Sequence, residues 1–111
     1  MSSIQWTKDA SGNWLPLLTV NLSNVKAIGV YAIWQGGGPY IRVGQGDIAA
    51  RLTAHRNDPA ITRYGNLYVT WVALHASYID GVERYLFEQC SPKVGDRAPD
   101  VPAIAVNLPG K

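Results

Sequence analysis

The chain has 111 residues, 47% of them apolar and 16% charged, with a formal net charge of +2 at neutral pH. That composition describes one globular domain and excludes a disordered or fibrous chain. A single cysteine, Cys90, excludes an internal disulfide, the absence of a Cys/His cluster excludes a structural zinc site, and no apolar run reaches the roughly 18–20 residues that span a bilayer. The start MSSIQWTKDASGNW carries no apolar export segment, so a cytoplasmic protein without membrane association is expected.

Residues 1–28 read as a peripheral N-terminal segment in which 14–20 form a candidate edge strand, since Pro16 has no amide to give to a central ladder. Residues 29–111 read as the domain proper. Within them, 29–34 and 40–44 form a β-hairpin across the glycine-rich turn 35–39. The glycines at 36–38 are a hairpin turn and not a phosphate loop, because they join two strands and open no helix. Asp47 is placed to cap a helix that runs to Arg56, and Asp58-Pro59 stops it. LYVTWVAL at 67–74 is rich in β-branched and aromatic residues and predicts a central strand. A second helix is predicted over 77–90 from the capping-box spacing of Ser77 and Asp80, with Ser91-Pro92 ending it, and 104–106 is a short strand candidate. The fold class is α/β in the broad sense, specifically α+β: a small central antiparallel sheet flanked by helices.

Several polar residues fall on faces that should build the core. Strand alternation places Tyr40, Arg42 and Gly44 on one face, with Tyr31 facing them from the hairpin partner. Ile48, Arg51, Leu52 and His55 follow the spacing of one helical stripe, so Arg51 and His55 lie a turn apart beside apolar anchors. Glu83 falls within the stripe of Ile79, Val82, Leu86 and Cys90, where a carboxylate is costly unless paired or bound to a metal. It is a candidate metal ligand or a partner for Arg51. Arg42, Arg51, Arg56 and Arg63 stand against only Asp47 and Asp58 between residues 40 and 66, and the guanidinium fork suits phosphate oxygens. His75 has no partner at ligand spacing and Cys90 lies on the apolar stripe, so both are assigned structural roles.

The ordered set Gly29-Val30-Tyr31, Val43-Gly44, Arg51 with His55 four residues on, Glu83 with Pro92 beyond it, and Asn107-Leu108-Pro109 resembles the GIY-YIG nuclease domain over residues 28–109. The resemblance implies a metal-dependent endonuclease in which water attacks phosphorus. Tyr31 would position or activate that water, Arg51 would stabilise the phosphate, and Glu83 would hold one divalent ion, Mg2+ or Mn2+. His55 would assist with protons or water, and Asn107 would support the site. Two positions depart from the family pattern. Arg42 stands where the second motif has tyrosine, with Tyr40 as a shifted substitute, and the asparagine comes late, as though a loop were inserted at 96–103.

The implied partner is nucleic acid, with DNA as the expected substrate. Arg42, Arg56, Arg63, Lys93 and Arg97 would track its backbone. Sequence specificity would come from loops, DNA shape, self-association or a protein partner. Two rivals stay open: a catalytically degenerate nucleic-acid-binding module, and a protein-interaction domain in which Arg51 and Glu83 form a structural ion pair. The nuclease reading expects the Tyr31 hydroxyl, the Arg51 guanidinium and the Glu83 carboxylate to converge on one solvent-accessible point, with Arg42 at its rim. Placement of Tyr31 and Glu83 on opposite faces of the sheet would rule the nuclease site out, even with a matching fold.

Overall fold

A computed structural model describes residues 3–95 and 97–110. In chain order the elements are β1 (Leu15–Pro16), β2 (Ile28–Gln35), β3 (Tyr40–Asp47), α1 (Ile48–Arg56), α2 (Pro59–Thr62), β4 (Leu67–Ala73) and α3 (Ala76–Cys90). The four strands form one antiparallel sheet in the order β1-β4-β2-β3. The architecture is therefore α+β with a central antiparallel sheet, as the patterning predicts. Strands β2 and β4 lie inside it, and their near-continuous apolar sequences suit burial on both faces. The second half of the hairpin, β3, is an edge strand, and that position decides where the site forms.

Each face of the sheet carries its own core. Tyr31, Ile33, Ile41, Val69 and Trp71 pack with Ile48 and Leu52 of α1 and Ile61 of α2 on one face. Val30, Ala32, Trp34, Tyr40 and Val43 pack with Ile79, Val82, Leu86 and Cys90 of α3 on the other. Among the described residues, no helix is long and apolar enough to cross a membrane.

The N-terminal segment is not peripheral. Leu17 is fully buried, Trp6, Val20 and Leu22 join the two cores, and β1 pairs with β4. Arg56 fastens the segment down, its Nη2 donating to the carbonyl oxygens of Leu17 and Val20 at 2.8 Å each. Helix α1 ends at Arg56 before Asp58-Pro59, as predicted, but a short second helix follows at once. The Asp58 carboxylate accepts from the Ala60 amide at 3.0 Å and opens α2 with proline at its first position, where its missing N–H costs nothing. Helix α3 begins at Ala76, earlier than the capping-box spacing implies, because His75 Nδ1 accepts from the Ser77 amide at 3.2 Å. The 104–106 candidate is reduced to a single bridge residue, Val106. Of the expected loop at 96–103, residue 96 lies outside the described residues.

Candidate active site around the edge strand

A cleft of about 190 Å³ opens at β3, and its lining includes Tyr31, Arg42, Gly44, Gln45, Arg51, Glu83 and Arg97. Tyr31 points into the α1 face of the sheet, and Glu83 comes from α3 on the opposite face. They thus come from opposite faces, the placement expected to rule the site out; that expectation overlooked the edge position of β3, around which both side chains reach one cleft. Tyr31 pairs in register with Gly44, and a Cβ at Gly44 would lie 2.3 Å from the phenol oxygen. Two residues on, a Cβ at Gly46 would meet Arg51 Nε at 3.1 Å. The G-Q-G run therefore leaves a strip without side chains, across which the phenol and the guanidinium lie to reach the cleft.

Replacing Gly44 with alanine should consequently destabilise the protein by about 1–3 kcal/mol through overpacking against Tyr31. The urea midpoint measures this, and an unchanged midpoint would mean that the phenol does not occupy that strip.

On the other side of β3, Gln45 Nε2 donates to Glu83 Oε1 at 2.9 Å and also to Asp80 Oδ1. Burial raises the Glu83 pKa and the neighbouring Asp80 charge adds to the rise, while the Gln45 hydrogen bond and then Arg42 and Arg51 oppose it. Among the described residues the ion pairs are Arg84 with Glu88 and with Asp100, so Arg51 and Glu83 do not form the structural pair that was the main alternative. Arg51 is exposed at the margin of the α1 stripe, whereas Ile48, Leu52 and His55 are buried.

His55 meets the site from beneath. Its Nε2 lies 2.6 Å from the Tyr31 hydroxyl, which is almost fully buried. Burial raises the Tyr31 pKa, against the pull of Arg42 and Arg51, so the phenol is neutral at pH 7. Burial also lowers the His55 pKa from 6.5 to about 4, with Arg42 and Arg51 lowering it further and Asp58 opposing. With the neutral imidazole protonated at Nδ1, Nε2 would accept the hydrogen bond from the phenol.

Stability follows from that shift. The unfolded chain binds a proton at this histidine as pH falls through 6.5, and the folded chain resists until about pH 4. The His55 contribution is thus fully present above pH 6.5 and is lost between there and pH 4. The loss is on the order of 2 kcal/mol once solvent screening in the open cleft is allowed for. Melting curves across that range should show the drop in the wild type and a flatter profile in His55→Gln; the same slope in both would place its origin elsewhere. Glu83, with its raised pKa, acts in the opposite sense, which is why the comparison with His55→Gln is needed.

Arg42 is not at the rim. It is half-buried, its Nε is buried without a hydrogen-bond partner among the described residues, and it passes beside Gly95, whose absent Cβ would lie 3.3 Å from the arginine Cδ. A β-bulge places it there: Ile33 pairs with Arg42 and Trp34 with Tyr40, leaving Ile41 as the extra residue. The bulge breaks the alternation that would put Tyr40 and Arg42 on one face. Tyr40 therefore joins the α3 core, where its hydroxyl donates to the Pro109 carbonyl and burial pushes its pKa up to about 12. It is not a second phenol of the cleft.

Other expected site residues are used elsewhere. Asn107 holds the N-terminal segment, its Oδ1 accepting from the Ile4 amide and its Nδ2 donating to the Ile4 carbonyl at 2.9 Å. Arg63 stacks on the Tyr64 ring, and Arg56 serves the carbonyls of Leu17 and Val20. Lys93 is exposed, and its backbone amide donates to the Tyr40 carbonyl beside the bulge. Arg97 does reach the cleft. Gln45 was missed. Its signal was a polar residue on the α3 face of β3, two residues from Val43.

Compared with protein-family models, curated proteins and solved structures, the chain matches none.

Proposed function

We propose that the chain is a metal-dependent phosphodiesterase of the GIY-YIG type that hydrolyses DNA. The observation that carries this reading is the single cleft in which Tyr31, Arg42, Arg51, Arg97 and Glu83 meet although they come from both faces of the sheet. A phosphodiester resists hydrolysis because its negative charge repels the nucleophile and its leaving alkoxide is poor, so a competent site supplies positive charge and a proton acceptor.

In this reading Arg42 and Arg51 donate to the non-bridging phosphate oxygens, whose charge grows as water attacks. The water oxygen bonds to phosphorus and the ester P–O bond breaks. The water proton passes to the Tyr31 oxygen as the Tyr31 proton moves to His55 Nε2. The leaving alkoxide takes a proton from solvent water, and His55, whose proton affinity is low, releases its proton to solvent, which balances the step and resets the pair for the next turnover.

The donor set suits one hard divalent ion. Glu83 offers a half-buried carboxylate with no ion-pair partner among the described residues, and Asp80 lies one turn earlier on the same helix. Among the described residues no cluster of three or more His, Cys, Asp or Glu could hold a metal alone. Mg2+ or Mn2+ would therefore be held by Glu83, with or without Asp80, only together with substrate phosphate. When bound, such an ion supplies charge to a phosphoryl oxygen and to the leaving group.

A second reading has its own support. Arg42 occupies the second-motif tyrosine position and Asn107 is committed to Ile4, which would suit a degenerate module that binds nucleic acid without cutting it. The deciding experiment is incubation with single-stranded, duplex and branched DNA in the presence of Mg2+ or Mn2+. Metal-dependent product supports hydrolysis, and salt-sensitive binding without product supports the degenerate module.

A further inference from the structure

Away from the β3 cleft, the hairpin turn and the N-terminal segment form an aromatic corner. Trp34 is its wedge: Trp14 meets it edge-on at 5.2 Å and 90°, and Tyr68 stacks on it at 6.2 Å with 24° between planes. Gly110 closes another side, where a Cβ would lie 2.9 Å from the Trp34 ring. Trp34 is only 3% exposed, whereas Trp14 and Tyr68 are half-buried and line the space beside it.

The space beside them measures about 520 Å³ and is completed by Gly36 and Gly37, so no side chain of the turn projects into it. Trp14 is also a wall of a neighbouring, more polar cleft of about 540 Å³ that holds Lys8. The exposed ammonium of Lys8 lies 4.2 Å from the Trp14 ring centroid.

We propose that this corner binds one unpaired nucleobase of a nucleic-acid strand, the base stacking on one of the two steeply crossed rings, Trp14 and Tyr68, and meeting the other at its edge, with its adjoining phosphate at Lys8. Two features select that ligand. The apolar side offers flat π surface with no side-chain carboxylate or amide, which suits a planar ring better than a sugar needing polar partners beside its ring. One indole away, the Lys8 cation matches the anion that every nucleotide carries next to its base. The inference rests on nucleic acid being the ligand of the β3 cleft, and it adds recognition of unstacked bases to that reading.

Tryptophan fluorescence titration in EDTA tests it, with a short oligothymidylate and an abasic oligomer of equal length and charge. The wild type should bind the oligothymidylate about tenfold more tightly, the order expected for stacking of one base. Trp14→Leu should bring the two affinities within about twofold, while Lys8→Ala should weaken both alike and reduce their salt dependence. Equal affinity of the wild type for the two oligomers would overturn the proposal, and so would an undiminished preference in Trp14→Leu. The wild-type comparison needs no variant to fold, and no cleavage is read. Metal-dependent cleavage without a base preference would therefore overturn the corner alone, whereas a base preference without turnover would overturn the phosphodiesterase alone.

Discussion

Glu83→Gln should lose metal-dependent cleavage by about a hundredfold or more while the protein becomes no less stable. The amide keeps the size of the side chain and its acceptor for Gln45. It loses the anionic oxygen that a divalent ion requires. The stability half of the prediction comes from the raised Glu83 pKa. Burial and the nearby Asp80 charge disfavour its ionised form in the folded state, so the carboxylate at pH 7 costs stability that a neutral isostere recovers. Cleavage rates and melting temperature, measured on the same preparation, check both halves. Undiminished turnover would remove the metal assignment, and a marked fall in melting temperature would make Glu83 a structural group.

Arg51→Lys should reduce cleavage by roughly a hundredfold, comparable to deleting a donor to a developing oxyanion, although the positive charge is kept. An ammonium cannot present the planar fork that spans two phosphate oxygens. Because Arg51 is exposed and its side chain lies along the bare Gly46 strip, the substitution should leave the fold intact. Single-turnover rates with equal thermal stability would separate this from unfolding. Near-wild-type cleavage would show Arg51 to be an ordinary solvated arginine.

Local chemistry made much of this legible in advance. The hairpin, the Asp47 cap, the β4 run and the apolar stripe of α3 follow from glycine placement, capping and periodicity. Tyr31, Arg51, His55 and Glu83 stood out because they are polar groups on faces that should be apolar. What escaped the sequence depended on distant or irregular geometry. Strand alternation cannot reveal a bulge at Ile41, so Tyr40 and Arg42 were placed on a common face that the chain does not keep.

Asn107 is committed to Ile4, a contact across 103 positions that no local pattern encodes. Arg56 has the sequence setting of a backbone-tracking cation, but its guanidinium is taken up by the carbonyls of Leu17 and Val20. That same contact explains why the N-terminal segment belongs to the core. Gly44 and Gly46 carried a readable signal, since glycines two apart on a strand clear one face for something to cross it.

The central claim is that side chains from both faces of the sheet act as one site around β3. A double-mutant comparison of single-turnover DNA cleavage in Mn2+ tests it most directly, using wild type, Glu83→Gln, Arg51→Lys and the double variant. If both residues serve the same phosphate, the double variant should be about as slow as the slower single variant, because the second loss falls on a site already disabled. Multiplying losses would contradict the claim by showing independent effects, and equal rates for all four proteins would place any cleavage outside this cleft.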